Sequence, residues 1–412
     1  MVRRRRNSSD EEMIPTRRVR KRCSKKKQES EEDRDRISNL TDELIHKIMS
    51  FMNTKYAVQT CVLSERWECL WKSLPYLDFN HATFPFKGIP WKDQDPRDKD
   101  PKAIPSFISF ITQVLCRRHH TNLVEVCAQS LSEKPYAFIL QGLITYALDH
   151  NVKQLSILSD HGSDSVLPES FYTCRSLEVL YLNRHVIKSP KFLALPALKS
   201  LHIHDIRMRK LESIFNLNLS GCPNLESLKL TESCDWERKT LFVNAPKLKS
   251  LEISFDRYRM ETNDVNYGCK VVIDTPGLIT LKYSGYGPIE CSSDDHASVD
   301  NAFFDIYNSY KSGYDDMYRE HVLLLINAFK AICHAKYLTL SLDTVEVLAM
   351  FPSLLDDSQS PFANLKYLKI KPSGLLRSEK VQIPAWWIIQ SDVVLTRRQN
   401  FAGHRSRWIV PQ

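Results

Sequence analysis

The sequence predicts an α/β protein in which a small trihelical module is followed by a solenoid of repeats and preceded by a basic, disordered tail. Three observations carry this prediction. Apolar residues recur at helical spacing in three short segments between residues 37 and 79. The pattern L-x-x-L-x-L recurs from about residue 150 onward, and the first 36 residues are mostly charged. The longest strongly apolar run, Val322–Ile326, is far shorter than the roughly 20 residues that a membrane span requires.

The N-terminal tail, residues 1–34, carries most of the excess positive charge. Residues 1–36 hold 14 Lys and Arg against 8 Asp and Glu, so they account for +6 of the formal +8, and the remainder is nearly neutral. Charge therefore gives no reason to expect nucleic-acid binding by the folded body, and the arginines near the start do not match a secretory signal.

Two basic clusters in this tail, ten residues apart, resemble a bipartite nuclear-import signal. They predict an import receptor as a partner and the nucleus as the location, with the cytoplasm as a second location. The alternative is a solvated run of charges or a weak nucleic-acid-binding arm. The clusters consist of Arg3, Arg4, Arg5, Arg6, Arg17, Arg18, Arg20, Lys21 and Arg22.

The eleven cysteines are irregularly spaced and form no C-x-x-C motif, which fits reduced thiols better than a disulfide framework or a zinc site. Two close Cys–His groupings, Cys116 with His119 and His120 and Cys333 with His334, lack the further ligands that tetrahedral zinc requires. No nucleotide-binding, metalloprotease or serine-hydrolase motif occurs. The sequence predicts no cofactor, no metal and no catalysis; an enzyme that uses Cys333 and His334 is the remaining catalytic alternative.

Three short helices are predicted between residues 35 and 79. The first runs over Thr41–Met52, with Thr41 as its N-cap. Thr54 caps the second, and Ser64 caps a third that ends before Pro75. A segment of about 40 residues is too small to bury its apolar surface alone, so it docks either on another protein or on the rest of this chain, and the pattern favours neither. That surface consists of Leu44, Ile45, Ile48, Met49, Met52, Trp67, Leu70, Trp71 and Leu74.

The module resembles the F-box of plant F-box/leucine-rich-repeat proteins in three runs: Asp35–Met52, Val62–Trp67 (VLSERW) and Leu70–Pro75 (LWKSLP). The resemblance implies binding to the Skp-type adaptor of a cullin–RING ubiquitin ligase, and through it to the cullin and RING subunits. Thr41 stands where this family usually has proline, so we expect adaptor binding to be attenuated there at most. Carried over by position, the adaptor contacts are Leu40, Leu44, Ile48, Met52, Val58, Leu63 and Trp67.

Residues 80–105 are polar and rich in proline, which predicts a linker. A cap of the solenoid is predicted over residues 106–150. It contains helices over Ile104–Leu115 and Ala137–Leu148, with a strand over Asn122–Gln129 between them.

Eight matches to L-x-x-L-x-L predict leucine-rich repeats over residues 151–375. The steps between the fourth positions are 25, 21, 27, 23, 30, 57 and 30 residues, close to the roughly 20–29 of leucine-rich repeats. The long step predicts one degenerate unit within Ser284–Asn327. Residues 376–412 are predicted to close the last coil with Trp386 and Trp387, the alternative being a separate docking motif. The fourth positions are Leu155, Leu180, Leu201, Leu228, Leu251, Leu281, Leu338 and Leu368.

Residues two apart in a strand share a face, so the positions between the leucines point outward along a concave sheet. Any one of these side chains is more often solvated than in contact with a partner, but as a set they predict a target-binding surface. The surface is polar, aromatic and mildly basic, which suggests the hypothesis of an acidic or phosphorylated target. Its residues are Tyr181, His202, His204, Lys229, Glu252, Lys282, Tyr337 and Lys369.

The sequence and the resemblance together predict a non-catalytic substrate-recognition subunit of an SCF-type ligase. In this interpretation the module binds the adaptor and the repeats bind a target protein. The alternative is a nuclear leucine-rich-repeat scaffold that binds a partner without recruiting a ligase.

Overall fold

The computed structural model describes residues 37, 39–80, 103–130, 134–159, 167–183, 193–204, 214–231, 240–255, 270–286, 289–291, 298–307, 315–356, 361–362, 364–371 and 394–395. The predicted import-signal residues, most of the 80–105 stretch and the Trp386–Trp387 segment lie outside the described residues.

The described chain consists of short α-helices and short parallel strands. The elements are α1 (Asp42–Met49), α2 (Thr54–Gln59), α3 (Glu65–Leu70), β1 (Tyr76–Phe79), α4 (Ala103–Arg117), β2 (Glu125–Ser130), α5 (Lys134–Asp149), β3 (Gln154–Ser159), β4 (Val179–Asn183), β5 (Ser200–His204), β6 (Ile214–Asn218), β7 (Ser227–Thr231), β8 (Thr240–Asn244), β9 (Ser250–Ser254), β10 (Lys270–Asp274), β11 (Thr280–Gly285), β12 (Ile289–Cys291), β13 (Asn301–Ile306), α6 (Asp315–Ala331), β14 (Tyr337–Ser341), α7 (Leu342–Ala349), α8 (Ser353–Asp356), β15 (Tyr367–Lys371) and β16 (Val394–Leu395).

The three predicted helices of the module are confirmed, but two of the predicted caps are wrong. Ser64 caps α3 by accepting a hydrogen bond from the Trp67 N–H, as expected. Thr41 occupies the N-cap position of α1, but its side chain makes no capping bond. Helix α2 is capped by Asn53, which accepts from the Lys55 N–H, and not by Thr54. The sequence contains two adjacent residues able to cap α2, and the spacing alone does not choose between them.

The repeats build one parallel sheet of twelve strands, in the order β1-β2-β3-β4-β5-β7-β9-β11-β13-β14-β15-β16. All eight predicted units form strands of this sheet. The degenerate unit predicted within Ser284–Asn327 is confirmed as β13, which pairs with β11 on one side and β14 on the other. The helices predicted on either side of β2 are also confirmed, as α4 and α5.

The sheet begins earlier than predicted. Strand β1 follows Pro75 directly and pairs with β2, so the first sheet strand lies inside the segment predicted as the helical module. Residues 80–105 therefore join β1 to α4 within the solenoid and do not separate the module from it. A second parallel sheet, in the order β12-β10-β8-β6, was not predicted.

The core follows the alternation along each strand. Leu180 and Leu182 on β4 are almost completely buried, and the residues between and beside them are partly exposed. The register keeps equivalent leucines side by side, because Leu180 pairs with Leu155 on β3 and Leu201 on β5. The buried leucines thus form a continuous column, and the alternate positions face away from it.

One buried polar residue joins the degenerate unit to the following helix. The Thr344 side chain, near the start of α7, is fully buried. Its Oγ1 donates to the Phe304 carbonyl at 3.1 Å and accepts from the Ile306 N–H at 2.8 Å. Both backbone groups belong to the end of β13, so this hydroxyl holds α7 against that strand.

We expect Thr344→Val to lower the free energy of unfolding by about 2 kcal/mol, because an isosteric side chain removes the buried hydrogen bonds that the hydroxyl makes to two backbone groups. Urea denaturation followed by circular dichroism measures this change. Thr112→Val on α4 is the matched control, since Thr112 is exposed and bonds only to the carbonyl one turn earlier; its effect should stay within about 0.5 kcal/mol. Equal effects of the two substitutions would contradict the role given to Thr344.

Candidate protein-interaction surfaces

The helical module exposes a cluster of large apolar side chains. Leu44 and Ile48 are four residues apart on α1, so they lie on one face of this helix, and Phe51 is exposed in the turn just beyond it. Ile45 and Met49 on the opposite face are fully buried. We call the exposed residues the module face; they are Ile37, Leu44, Ile48, Phe51, Val62 and Leu63.

The predicted adaptor contacts other than Trp67 differ in how exposed they are in the structure. Leu44, Ile48 and Leu63 belong to the module face. Leu40, Met52 and Val58 are half-buried, and Leu40 and Val58 pack against the core of this chain. Thr41 is exposed beside Leu40.

Trp67, which was predicted as an adaptor contact, is buried in the structure. Its side chain is only 6% exposed and lies in the core with Leu70 and Trp71. Helical spacing groups residues by face but does not say which face is turned inward. Trp67 therefore stabilises the module and is not available to a partner.

Phe51 and Val62 were not predicted as contacts, although they are 80% and 85% exposed. Phe51 lies in the turn after α1, and Val62 is the last residue of a short 3-10 helix after α2, so α-helical spacing does not place either of them. Their signal in the sequence is the residue type alone.

The start of α1 is held by an arginine from α3. Arg66 Nε donates to Asp42 Oδ1 at 3.0 Å, and Arg66 Nη2 donates to the Leu40 carbonyl. These bonds fix the backbone that leads into α1, which is the function expected of the proline that Thr41 replaces. The module face is thus positioned without a capping bond from Thr41.

The module is joined directly to the first strands of the large sheet. Thr54 Oγ1 accepts a hydrogen bond from the Asp78 N–H at 2.7 Å, so α2 satisfies part of the free edge of β1. The Pro75 carbonyl accepts from the Val124 N–H at 2.8 Å, and the Lys72 carbonyl accepts from the His119 N–H at 2.9 Å. Burial raises the pKa of the Asp78 carboxyl at this junction, and nearby Glu125 adds to the shift.

The alternate positions of the large sheet form an ordered surface, which we call the sheet face. Its central row runs across eleven strands through residues that pair in register: Asp78, Cys127, Ser156, Tyr181, His202, Lys229, Glu252, Lys282, Phe303, Thr339 and Lys369. Six of the eight predicted target-binding residues lie in this row, and His204 and Tyr337 lie in the rows beside it. The structure therefore brings all eight onto one surface.

Two histidines share one hydroxyl in the middle of the sheet face. Thr231 Oγ1 lies 2.8 Å from His204 Nδ1 and 3.3 Å from His202 Nε2. The Tyr181 ring meets the His202 ring edge to face, with 4.5 Å between ring centroids. Burial, Lys229 and His204 together lower the pKa of His202 to about 4, so its ring is neutral near pH 7.

Lys229 and Lys282 are already paired with a carboxylate of the same chain. Glu252, on the strand between them, lies 2.9 Å from Lys229 Nζ and 3.4 Å from Lys282 Nζ. Burial works to raise the pKa of Glu252, but the two lysines lower it overall. The two lysines of this part of the sheet face therefore share one carboxylate.

The last strands of the sheet face carry an aromatic cluster that the sequence analysis missed in part. The Tyr337 and Tyr367 rings are stacked, with centroids 5.0 Å apart and planes within 1° of parallel. Phe303 occupies the central row on β13, and Lys371 Nζ lies 4.5 Å from its ring centroid. Phe303 was missed because it belongs to the degenerate unit, where no leucine pattern marks the outward positions.

The described residues contain no group of three or more His, Cys, Asp or Glu side chains that could hold a metal ion. In the grouping considered for catalysis, His334 Nδ1 contacts the Asn364 side-chain amide at 2.9 Å, and Cys333 is half-buried. In the other grouping, His120 contacts His150 at 2.8 Å, and this contact involves no cysteine. None of the described helices is both long and apolar enough to cross a membrane.

Two family models match this chain. The F-box domain model matches residues 37–79, and the model described as FBD-associated F-box protein At5g56370, LRR repeats, matches residues 140–280. The first match covers the module. The second begins within α5 and ends at the first residue of β11.

Curated proteins of Arabidopsis thaliana match about 60% of the chain. Putative F-box/FBD/LRR-repeat protein At4g13965 is 34% identical over 61% of this chain and 53% of its own length. FBD-associated F-box protein At4g10400 is 31% identical over 60% of this chain and 55% of its own. F-box protein At4g09920 is 31% identical over 59% of this chain and 71% of its own. The chain thus spans about half the length of the first two relatives and more of the third.

Proposed function

The chain belongs to the family of plant F-box proteins with leucine-rich repeats, and from this premise we propose that it is the substrate-recognition subunit of an SCF-type cullin–RING ubiquitin ligase. The module binds a Skp-type adaptor, which connects it to the cullin and RING subunits. The sheet face captures the target protein. The predicted import signal gives the nucleus as the location in which this occurs.

The observation that carries this proposal is the module face. Several large apolar side chains exposed on one small helical unit are typical of a surface that another protein covers, because their exposure to water is unfavourable. Leu44, Ile48 and Leu63 were expected at this surface from the resemblance, and they are exposed while the other side of the same helices is buried.

The proposed mechanism is proximity. A receptor that binds the adaptor at one end and a target on its sheet raises the effective concentration of target lysines near the ubiquitin-conjugating enzyme. Such a subunit contributes binding and orientation, and the chemical step takes place on other subunits. The structural requirement is that the two binding surfaces are held by one folded body.

The proposal is tested by replacing Leu44 with lysine. We expect Leu44→Lys to weaken retention of a co-expressed Skp-type adaptor by about 100-fold, because the substitution removes a buried apolar contact and places a charge in the interface. Affinity purification followed by titration of the adaptor measures this change. The free energy of unfolding should be unaffected, since Leu44 is exposed.

The matched control is Leu323→Lys on α6, which makes the same change at a leucine of similar exposure outside the module. It should leave adaptor binding unchanged. A wild-type chain that never retains the adaptor would contradict the ligase proposal and favour a repeat scaffold without ligase recruitment. Equal loss in both variants would contradict the assignment of the interface to the module face.

A further inference from the structure

Charge is unevenly distributed along the sheet face. At its first two strands the outward charged residues are Asp78 and Glu125, both acidic. The outward positions of β3, β4 and β5 carry no Asp, Glu, Lys or Arg. From β7 to β15 four lysines face two carboxylates, and this larger group consists of Lys229, Glu252, Lys282, Asp305, Lys369 and Lys371. The end of the face formed by the later strands is therefore positive.

Glu252 shows how this sheet accommodates a carboxylate. Its side chain lies between two lysines that project from the neighbouring strands, at 2.9 and 3.4 Å. A carboxylate placed across the strands is thus bound by lysines on either side. Within the described residues, Lys369 contacts no carboxylate of this chain, and Lys371 contacts the ring of Phe303.

The same end of the face offers aromatic surface. Tyr337 and Tyr367 are 45% and 43% exposed and stack on each other at the start of β14 and β15. Their hydroxyls can donate to a carboxylate, and their outer faces can stack against a planar side chain. Aromatic side chains are enriched at protein interfaces, and lysines beside them favour a partner of opposite charge.

The type of cation bears on the anion that this site selects. The described outward positions of the sheet carry no arginine, so the planar fork that binds a phosphate through two hydrogen bonds is absent from them. Lysines act as point charges, and Glu252 shows that two of them bind one carboxylate. These observations favour aspartate and glutamate side chains over phosphate groups.

We propose that the part of the sheet face formed by β13, β14 and β15 binds an extended acidic segment of the target protein. Lys369 and Lys371 bind carboxylates of this segment, and the Tyr337–Tyr367 pair stacks against a neighbouring aromatic side chain. This inference rests on the proposed function, because it names the class of target that the receptor captures. Of the lysines predicted on this surface, Lys229 and Lys282 are paired with Glu252, so the inference keeps Lys369 and adds Lys371.

The test uses the full chain bound to its adaptor and a fluorescent synthetic peptide in which glutamates flank one tyrosine. We expect the peptide to bind, and binding to weaken about tenfold in the double variant Lys369→Glu/Lys371→Glu, which turns two attractive pairs into repulsive ones. Tyr337→Ala should also weaken binding. Fluorescence anisotropy measures these changes, and higher salt should weaken binding in the wild type.

Lys366→Glu is the matched control, because Lys366 is an exposed lysine one residue before β15 and lies outside the sheet face. It should bind the peptide as the wild type does. Equal binding of a version with glutamine in place of glutamate would overturn the proposal, and so would the absence of any binding. Tighter binding of a phosphoserine version would replace the acidic class by a phosphorylated one.

Retention of the adaptor is measured in the same samples and separates this inference from the proposed function. A complex that retains the adaptor but binds none of the peptides contradicts the acidic-segment inference alone. A chain that never retains the adaptor contradicts the ligase proposal, whatever the peptide does.

Discussion

Trp67→Ala is expected to lower the free energy of unfolding of the module by about 3 to 5 kcal/mol, the range typical for removing a large aromatic side chain from a core. Trp67 is buried with Leu70 and Trp71, and no rearrangement of two short helices can fill the space that an indole leaves. Urea denaturation of the full chain, followed by circular dichroism and tryptophan fluorescence, measures this loss.

The same substitution separates the two roles that the sequence offered for Trp67. We expect adaptor retention to fall in Trp67→Ala in proportion to the loss of folded module, whereas Leu44→Lys should lose the adaptor with no change in stability. If Trp67→Ala kept the stability of the wild type and lost only the adaptor, Trp67 would be a contact residue and the burial argument would fail.

Gly221→Ala is expected to destabilise the solenoid by about 3 kcal/mol, the upper part of the range for overpacking. A Cβ at Gly221 would lie 2.1 Å from the Leu193 carbonyl oxygen and 2.8 Å from the Ala194 Cα. Both are backbone atoms of the preceding coil, so neither can move aside as a flexible side chain would. The two coils would have to separate, and thermal and urea unfolding should both show the loss.

Gly142→Ala is the matched control for this substitution. A Cβ at Gly142 meets nothing within 4 Å, and the residue lies inside α5. Alanine is the better helix former, so this change should raise the free energy of unfolding by about 0.5 to 1 kcal/mol. The same substitution is thus expected to act with opposite signs at the two positions, and equal effects would contradict the close approach of the coils.

The repeats could be predicted from the sequence wherever leucine marks the buried positions. The degenerate unit uses Val299, Ala302 and Phe304 at the same places, and all three are buried as leucines would be. The fold requires an apolar side chain that fills the core at each of these positions. Leucine is only the commonest residue that does so. A search that allowed any apolar residue would have found β13 and its outward Phe303.

The first strand was hidden for a different reason. Leu74, Leu77 and Phe79 follow the spacing of the repeat pattern and are all almost completely buried. The resemblance assigns this segment to the helical module, although its spacing is that of a repeat strand. Strand β2 carries the same spacing with Leu123, Val126 and Ala128.

The orientation of the module could not be derived from periodicity. Ile45 and Leu44 are adjacent, and one is fully buried while the other is exposed. Which face of the helix is buried depends on the surface that the rest of the chain packs against it. That surface exists only in the folded structure. The pairing of Glu252 with two lysines is likewise set by the register of strands far apart in sequence.

The direct passage from Pro75 into the first strand leaves no spacer between the helical module and the large sheet, and α2 satisfies part of the edge of that sheet. Under the proposed function, this junction would set the distance between the adaptor and a target that docks on the sheet face. We expect the choice of lysines within reach of ubiquitin transfer to depend on where along the strands the target docks.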